Sequence, residues 1–413
     1  MSAGPSRSRP LDESVNLVQI ELKGDTPVFN DWNSTAVDHQ QEKIYIYGGV
    51  RPGDEDNLPT NDFYCLDLKT SQWCNLTTSL KFRPRDYVFD PFCKDENKLE
   101  RRELPALTEA ACTIISVCGG TYFLLFGGHD TDNPTSDLIA VDLKLLIWWV
   151  VEIQGTPLRA RMSASMVAVD NRLFIFGGRD DFAGDAPVIC TYSIAEYNPR
   201  TRWTWRVSDA PLPPDLPPLG YLIQSVPVFN GKKILLTQGR TSDEPINISR
   251  ESTIFFHTDN HTFQDARTTV GNFPKGIYWY KLAALAASAV PLESPFKRPK
   301  GPPRKYPLPY VPADGAAVPT FPDSVVMVAW VRHRLNSEDL VPEAWQYLLP
   351  PSERIRCLEL RGEFWRLNLD LEDMVAVGNR MILLGSRSDA EMAVEKPRRW
   401  DVAVEILIEC LKE

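Results

Sequence analysis

Five histidines are the whole imidazole supply of this 413-residue chain: His39, His129, His257, His261 and His333. Only His257 and His261 stand close together, in HTDNHTF. A three-residue gap brings two imidazoles onto one metal when it lies on a helix. Here the intervening Thr-Asp-Asn reads as a tight turn between strands, where the two rings need not converge. The eight cysteines, at 65, 74, 93, 112, 118, 190, 357 and 410, form no CxxC pair, and several fall inside strand patterns, where a free thiol behaves as a small hydrophobe. Neither a phosphate-cradling P-loop nor a serine nucleophile elbow is present. The expectation is therefore no catalytic residue, no bound metal and no cofactor.

What does recur is a cation at one place in a repeated unit. Arg51 follows GGV, His129 and Arg179 follow GG, Arg240 follows QG, Arg332 and Arg334 follow VAWV, and Arg387 follows GS. Guanidinium groups gathered at one mouth would recognise a carboxylate or phosphate through paired N–H donors. The same loops then turn acidic, with GDEDN at Gly53, DTD at Asp130, RDD at Arg179, SDE at Ser242 and SED at Ser337. Two readings follow. Either the cations form a partner site for an acidic or phosphorylated peptide, or each Arg clasps an Asp of its own loop, such as Asp180, Asp181, Asp243 or Asp389, and only orders it.

The elements that must position these residues are short apolar runs closed by a glycine doublet: IYIYGG ending at Gly48 and Gly49, FLLFGG at Gly127 and Gly128, and LFIFGG at Gly177 and Gly178. After each comes a polar loop, a second apolar strand, an acidic or amide residue, and a Trp. Asp67 precedes Trp73, Asp142 precedes Trp148 and Glu359 precedes Trp365 by six residues, while Asn198 precedes Trp203 by five. The acid should open the turn between the third and fourth strands of a sheet. The Trp should pack between adjacent sheets, and the doublet, lacking Cβ, should let the backbone approach closely.

This pattern resembles the kelch repeat family. The resemblance implies an all-β, six-bladed propeller whose loop face binds a protein partner, hence an interaction module or scaffold without catalysis. Two alternatives stay open: a degenerate enzyme or small-ligand binder of galactose-oxidase-like ancestry, and the substrate-recognition subunit of a multi-subunit ubiquitin ligase. Blade one is expected over 34–78, blade two over 110–153, blade three over 162–207 and blade four over 221–270, where Gln238 and Gly239 replace the doublet. Blade five spans 276–369 with a Pro-rich insertion at 290–323, VVMVAWV as second strand, and IRCLEL and EFWRLNL as outer strands. Blade six spans 371–409, with Gly385 and Ser386 at the doublet position. It lacks a fourth strand, and residues 14–22 should supply it and close the ring; residues 1–13 are expected to be disordered.

The formal net charge of −10 and pI near 5.2 argue against nucleic-acid binding. In the most apolar stretch, LIAVDLKLLIWWVVEI, Asp142 and Lys144 interrupt, so it reads as blade strands rather than a membrane span. With no secretory segment at the start, a monomer in the cytosol or nucleus is expected, and four N-x-S/T sites, including Asn33 and Asn75, carry no weight. The basic FKRPKGPPRKYP, Phe296 to Pro307, is a docking segment, a nuclear signal, or a solvated loop.

Overall fold

The structure is a computed structural model that describes residues 13–28, 30–51, 58–84, 100–131, 133–180, 191–197, 204–216, 218–237, 239–240, 253–265, 277–285, 324–331, 341–349, 354–361, 369–377, 380–387, 399 and 402–407. Six four-stranded antiparallel units are arranged as a propeller. The first strands of the blades are Ser34–Asp38, Ala111–Val117, Ser165–Val169, Gln224–Val228, Ile277–Leu285 and Leu369–Val377. Each contacts the first strand of the next, and Leu369–Val377 contacts Ser34–Asp38, so they form a closed ring about one axis. The described residues include one short 3-10 turn, Thr77–Ser79, and no helix long and apolar enough to cross a membrane.

Local chemistry explains the hairpins. Asp67 Oδ1 accepts from the amides of Lys69 and Thr70 at 2.9 and 3.1 Å, and Asp142 Oδ1 accepts from those of Lys144 and Leu145 at 2.9 and 2.8 Å. Each carboxylate thus ends a third strand and starts the turn to the fourth. The apolar stretch flagged above divides accordingly into the strands Leu138–Asp142, Ile147–Val150 and Glu152–Gly155.

A single blade has two apolar faces, and the cores lie between blades. Trp73 is buried with Ile44, Leu66, Val375 and Ile382, joining blade one to blade six. Trp148 is buried with Tyr47, Phe63, Phe123 and Val141, joining blades one and two. Between blades two and three the place belongs to Trp205, packed with Leu124, Trp149 and Leu173. Here the structure departs from the Asn198/Trp203 pairing: Glu196, opposite Arg172, holds the register position that Asp67 and Asp142 hold. The hairpin is longer, so the aromatic facing the preceding blade shifts to Trp205, and Trp203 lies outside the described residues.

Blade five also differs from expectation. Its third strand is Val341–Leu348, paired along Ser324–Val331, and Arg354–Arg361, which contains IRCLEL, is the fourth. Glu359 therefore sits in an outer strand, and its spacing to Trp365, which is outside the described residues, does not mark a third-to-fourth turn. In blade six the ladder continues through Gly385 and Ser386, which pair with Leu371 and Asp370, because the first strand is longer and carries a bulge between Leu371 and Asp373. The segments 85–99, 286–323 and 266–276 also fall outside the described residues, and with them the basic Pro-rich stretch.

The ring closes as the missing strand required. Glu13–Ile20 pairs antiparallel with Val402–Leu407, from Asn16 opposite Leu407 to Ile20 opposite Ala403, and becomes the fourth strand of blade six. It starts at Glu13, within the stretch expected to be disordered. Its first half also runs parallel to Leu358–Arg361 of blade five. The same parallel step recurs where Lys23–Gly24 lies along Gln72–Asn75, Lys81–Phe82 along Ile147–Val150, and Glu152–Gly155 along Thr204–Pro211.

Deleting residues 1–23 should strip the outer strand from Val402–Leu407 and the cover from Arg354–Arg361. A marked fall in thermal midpoint and in solubility is expected; an unchanged midpoint would contradict closure by this strand. A second test separates strain from contact. A Cβ on Gly127 would lie 2.2 Å from the Arg161 carbonyl oxygen of the next blade, whereas one on Gly119, also at positive φ, meets nothing within 4 Å. Gly119→Ala should then cost about 1 kcal/mol of left-handed strain and Gly127→Ala at least about 2 kcal/mol, read by denaturant unfolding.

Candidate functional site: the axial mouth

Just ahead of each of the first four inner strands stands a residue with left-handed backbone: Trp32 (φ 60), Glu109 (φ 53), Ser163 (φ 54) and Leu222 (φ 56). They are joined blade to blade. The Glu109 amide donates to the Trp32 carbonyl at 3.1 Å, the Ser163 amide to Glu109 at 3.0 Å, and the Leu222 amide to Ser163 at 2.9 Å. A second belt runs beside it, in which Gly49, Gly128 and Gly178 donate to the carbonyls of Leu107, Arg161 and Gly220 at 3.1, 2.9 and 3.0 Å. The first glycine of each doublet clears the path for that carbonyl. These belts form the rim of the axial channel on the face where the doublet loops emerge.

The residue after the doublet pairs back onto its own blade: Val50 with Asp31, His129 with Thr108, Arg179 with Met162, and Arg240 with Tyr221. His129, Arg179 and Arg240 thus share one position. Arg51 does not, because Val50 takes that place and Arg51 lies one residue outward, where it is exposed and 3.8 Å from Asp62. Arg387 ends a strand opposite Leu369, and Arg332 and Arg334 lie outside the described residues.

Glu109 draws three blades together. Its Oε1 lies 3.9 Å from His129 Nε2 of its own blade and 3.9 Å from an Arg179 terminal nitrogen of blade three. The Ser163 hydroxyl donates to Oε2. The Arg179 guanidinium lies over the Tyr221 ring of blade four, 4.6 Å from its centroid, and the His129 Nδ1 faces the Asp130 carbonyl. Arg179 is therefore not clasped by its neighbour Asp180, which pairs instead with Arg159. Glu109, Ser163 and Tyr221 escaped the sequence reading, which watched only the residues after the doublets. The signal was present, since DWNS, TEAA, MSAS and YLIQ stand in one register before the four inner strands.

Beneath the rim the interior holds buried charges. Arg161, fully buried between blades two and three, donates to the carbonyls of Arg159 and Gly177 at 3.3 Å and to Ser193 Oγ at 3.4 Å. Burial lowers its pKa to about 10, so it stays charged at neutral pH. Further round, Lys281 and the buried Asp373 of the inner strands of blades five and six form a 3.2 Å ion pair. Cys112 of blade two faces the same pair, and burial pushes its thiol up to about 12, the Lys281 charge pulling it down and Asp373 pushing it up. A thiol so held is no nucleophile at neutral pH. His257 Nε2 pairs with Gln264 at 2.9 Å while His261 stacks on Phe256, so the two rings diverge. Among the described residues, no group of three or more His, Cys, Asp or Glu could hold a metal ion.

Closed ring and interblade aromatics define a six-bladed β-propeller. Among known families, the kelch motif matches residues 33–79, blade one. The Rab9 effector protein with kelch motifs of Bos taurus is 27% identical over 165 residues, covering 38% of this chain and 37% of that protein. Kelch domain-containing protein 3 of Rattus norvegicus is 24% identical over 182 residues, 43% and 39% respectively. Tip elongation aberrant protein 1 of Schizosaccharomyces pombe is 27% identical over 142 residues, 33% of this chain and 10% of that protein. The chain thus spans between a tenth and two-fifths of the length of these relatives, and over that stretch it is similar to proteins with kelch motifs.

Thiol chemistry checks the burial pattern. Burial pushes the thiols of Cys65 and Cys112 up to about 12, whereas Cys74 and Cys118 are exposed. In native protein at pH 8, iodoacetamide followed by peptide mapping should label Cys74 and Cys118 first, the half-buried Cys112 more slowly, and Cys65 last. Because the folded state holds those two protons more tightly than the unfolded state, their contribution to stability is intact below the ordinary thiol pKa and declines as pH rises from there toward 12. Labelling of Cys65 as early as Cys74 would contradict the burial pattern.

Proposed function

We propose that this propeller is a non-catalytic interaction module that takes an acidic or phosphorylated protein segment at the axial mouth. The observation that carries this reading is the convergence of His129, Arg179 and Ser163 from two blades around one carboxylate, Glu109, with Tyr221 of blade four stacked on Arg179. His129, Arg179 and Arg240 supply charge at one register position. An apolar anchor stands on the same rim: Trp32, 53% exposed, is one of three large apolar side chains exposed among the described residues. A rigid exposed aromatic beside a cationic cluster is the composition of an interface hot spot. Cys65 and Cys74 are direct cross-strand partners and both free, which suits a reducing cytosolic or nuclear setting.

The double substitution Arg179→Glu with Arg240→Glu tests the mouth. Proteins captured by the parent and identified by mass spectrometry should be lost, and their binding to the parent should weaken as salt rises. Arg179→Glu sets a second carboxylate against Glu109, so the melting curve is expected to fall, and capture is compared at a temperature where both proteins stay folded. Normal capture by a folded double variant would move the binding surface elsewhere on the propeller.

A further inference from the structure

Glu109 occupies the place where a ligand's acid would have to sit. Both of its ion pairs, to His129 and Arg179, are 3.9 Å long, whereas a charge-assisted hydrogen bond between such groups closes to about 2.7–2.9 Å. Arg179 is therefore not engaged as closely as its chemistry allows. The guanidinium is held from its other side by the Tyr221 ring, a contact that does not involve Glu109. The Glu109 backbone is held independently as well, its amide donating to Trp32 and its carbonyl accepting from Ser163. The side chain can leave while the rim stays bonded.

We propose that Glu109 is a resident anion filling a binding site for a carboxylate or phosphate monoester, built from His129, Arg179 and the Ser163 hydroxyl, and that an acidic group of the partner binds by displacing it. This inference rests on the mouth being the partner surface. The resident carboxylate neutralises the Arg179 guanidinium, only 18% exposed, beside the 16% exposed His129 ring. It also sets a threshold. A weakly held anion gains nothing by replacing Glu109, while one that forks onto Arg179 gains closer contact than the 3.9 Å pair it breaks and exchanges one Ser163 hydrogen bond for another. Glu109 thereby selects for strong, multidentate acidic groups.

The full-length chain and inorganic phosphate test this. Glu109→Gln keeps the shape of the side chain and an oxygen for Ser163 but removes the charge. By calorimetric titration at low salt it should bind phosphate about tenfold more tightly than the parent, and adding Arg179→Ala should erase the gain. Equal affinity in parent and Glu109→Gln overturns the proposal, as does a gain that survives Arg179→Ala. Glu109→Ala is measured alongside, and failure of both Glu109 variants to fold would make the carboxylate a structural clasp and equally overturn it. The mouth itself is judged separately by partner capture with the Arg179/Arg240 double variant. Loss of capture there with unchanged phosphate affinity here would leave the partner surface standing and remove only the resident anion.

Discussion

The structure depends on one hydrogen bond repeated around an axis: the amide of a doublet's second glycine reaching the carbonyl of the next blade, as Gly49 to Leu107, Gly128 to Arg161 and Gly178 to Gly220. A blade cannot bury both faces by itself, so what matters is how its edge meets its neighbour. That bond fixes the inner edge at a separation no Cβ would permit. At the outer edge, Trp73, Trp148 and Trp205, each at most 3% exposed, fill the widening wedge between sheets. Inner contact and outer filling together set the angle between blades, and the angle sets their number.

Closure follows from the same economy of edges. Blades one, two and three each gain a parallel strand from the chain before them, Lys23–Gly24, Lys81–Phe82 and Glu152–Gly155. Glu13–Ile20 supplies both the fourth strand of blade six and the parallel partner of blade five. The ion pairs Arg380 to Glu42 at 3.6 Å and Lys281 to Asp373 at 3.2 Å tie the first, fifth and sixth blades near that seam.

The proposed site grows out of strain at the rim. Trp32, Glu109, Ser163 and Leu222 adopt a left-handed backbone that ordinary residues avoid, and the blade-to-blade bonds hold them there. The Glu109 carboxylate and the Ser163 hydroxyl thereby meet beside His129 and Arg179. A site assembled in this way draws its residues from separate repeats, and no single repeat contains it.

Much of the fold was legible in the residues because each repeat states its own local rules. Asp67 and Asp142 open turns wherever a carboxylate can accept two amides, and Trp73 is apolar enough to demand a partner blade whatever its neighbours are. The missing strand could be counted, so the closing one could be named. Spacing failed where a loop length changed: Glu359 sits in an outer strand and opens no third-to-fourth turn, and the longer hairpin of blade three moved the aromatic to Trp205. By itself, the sequence determined the repeat, the blade number and the closure, since periodicity and edge pairing are properties of a chain read locally. Only the tertiary structure decided which charges meet. Glu109 and Arg179 are 3.9 Å apart because two blades abut, and Asp180, next to Arg179 in the chain, turns instead to Arg159.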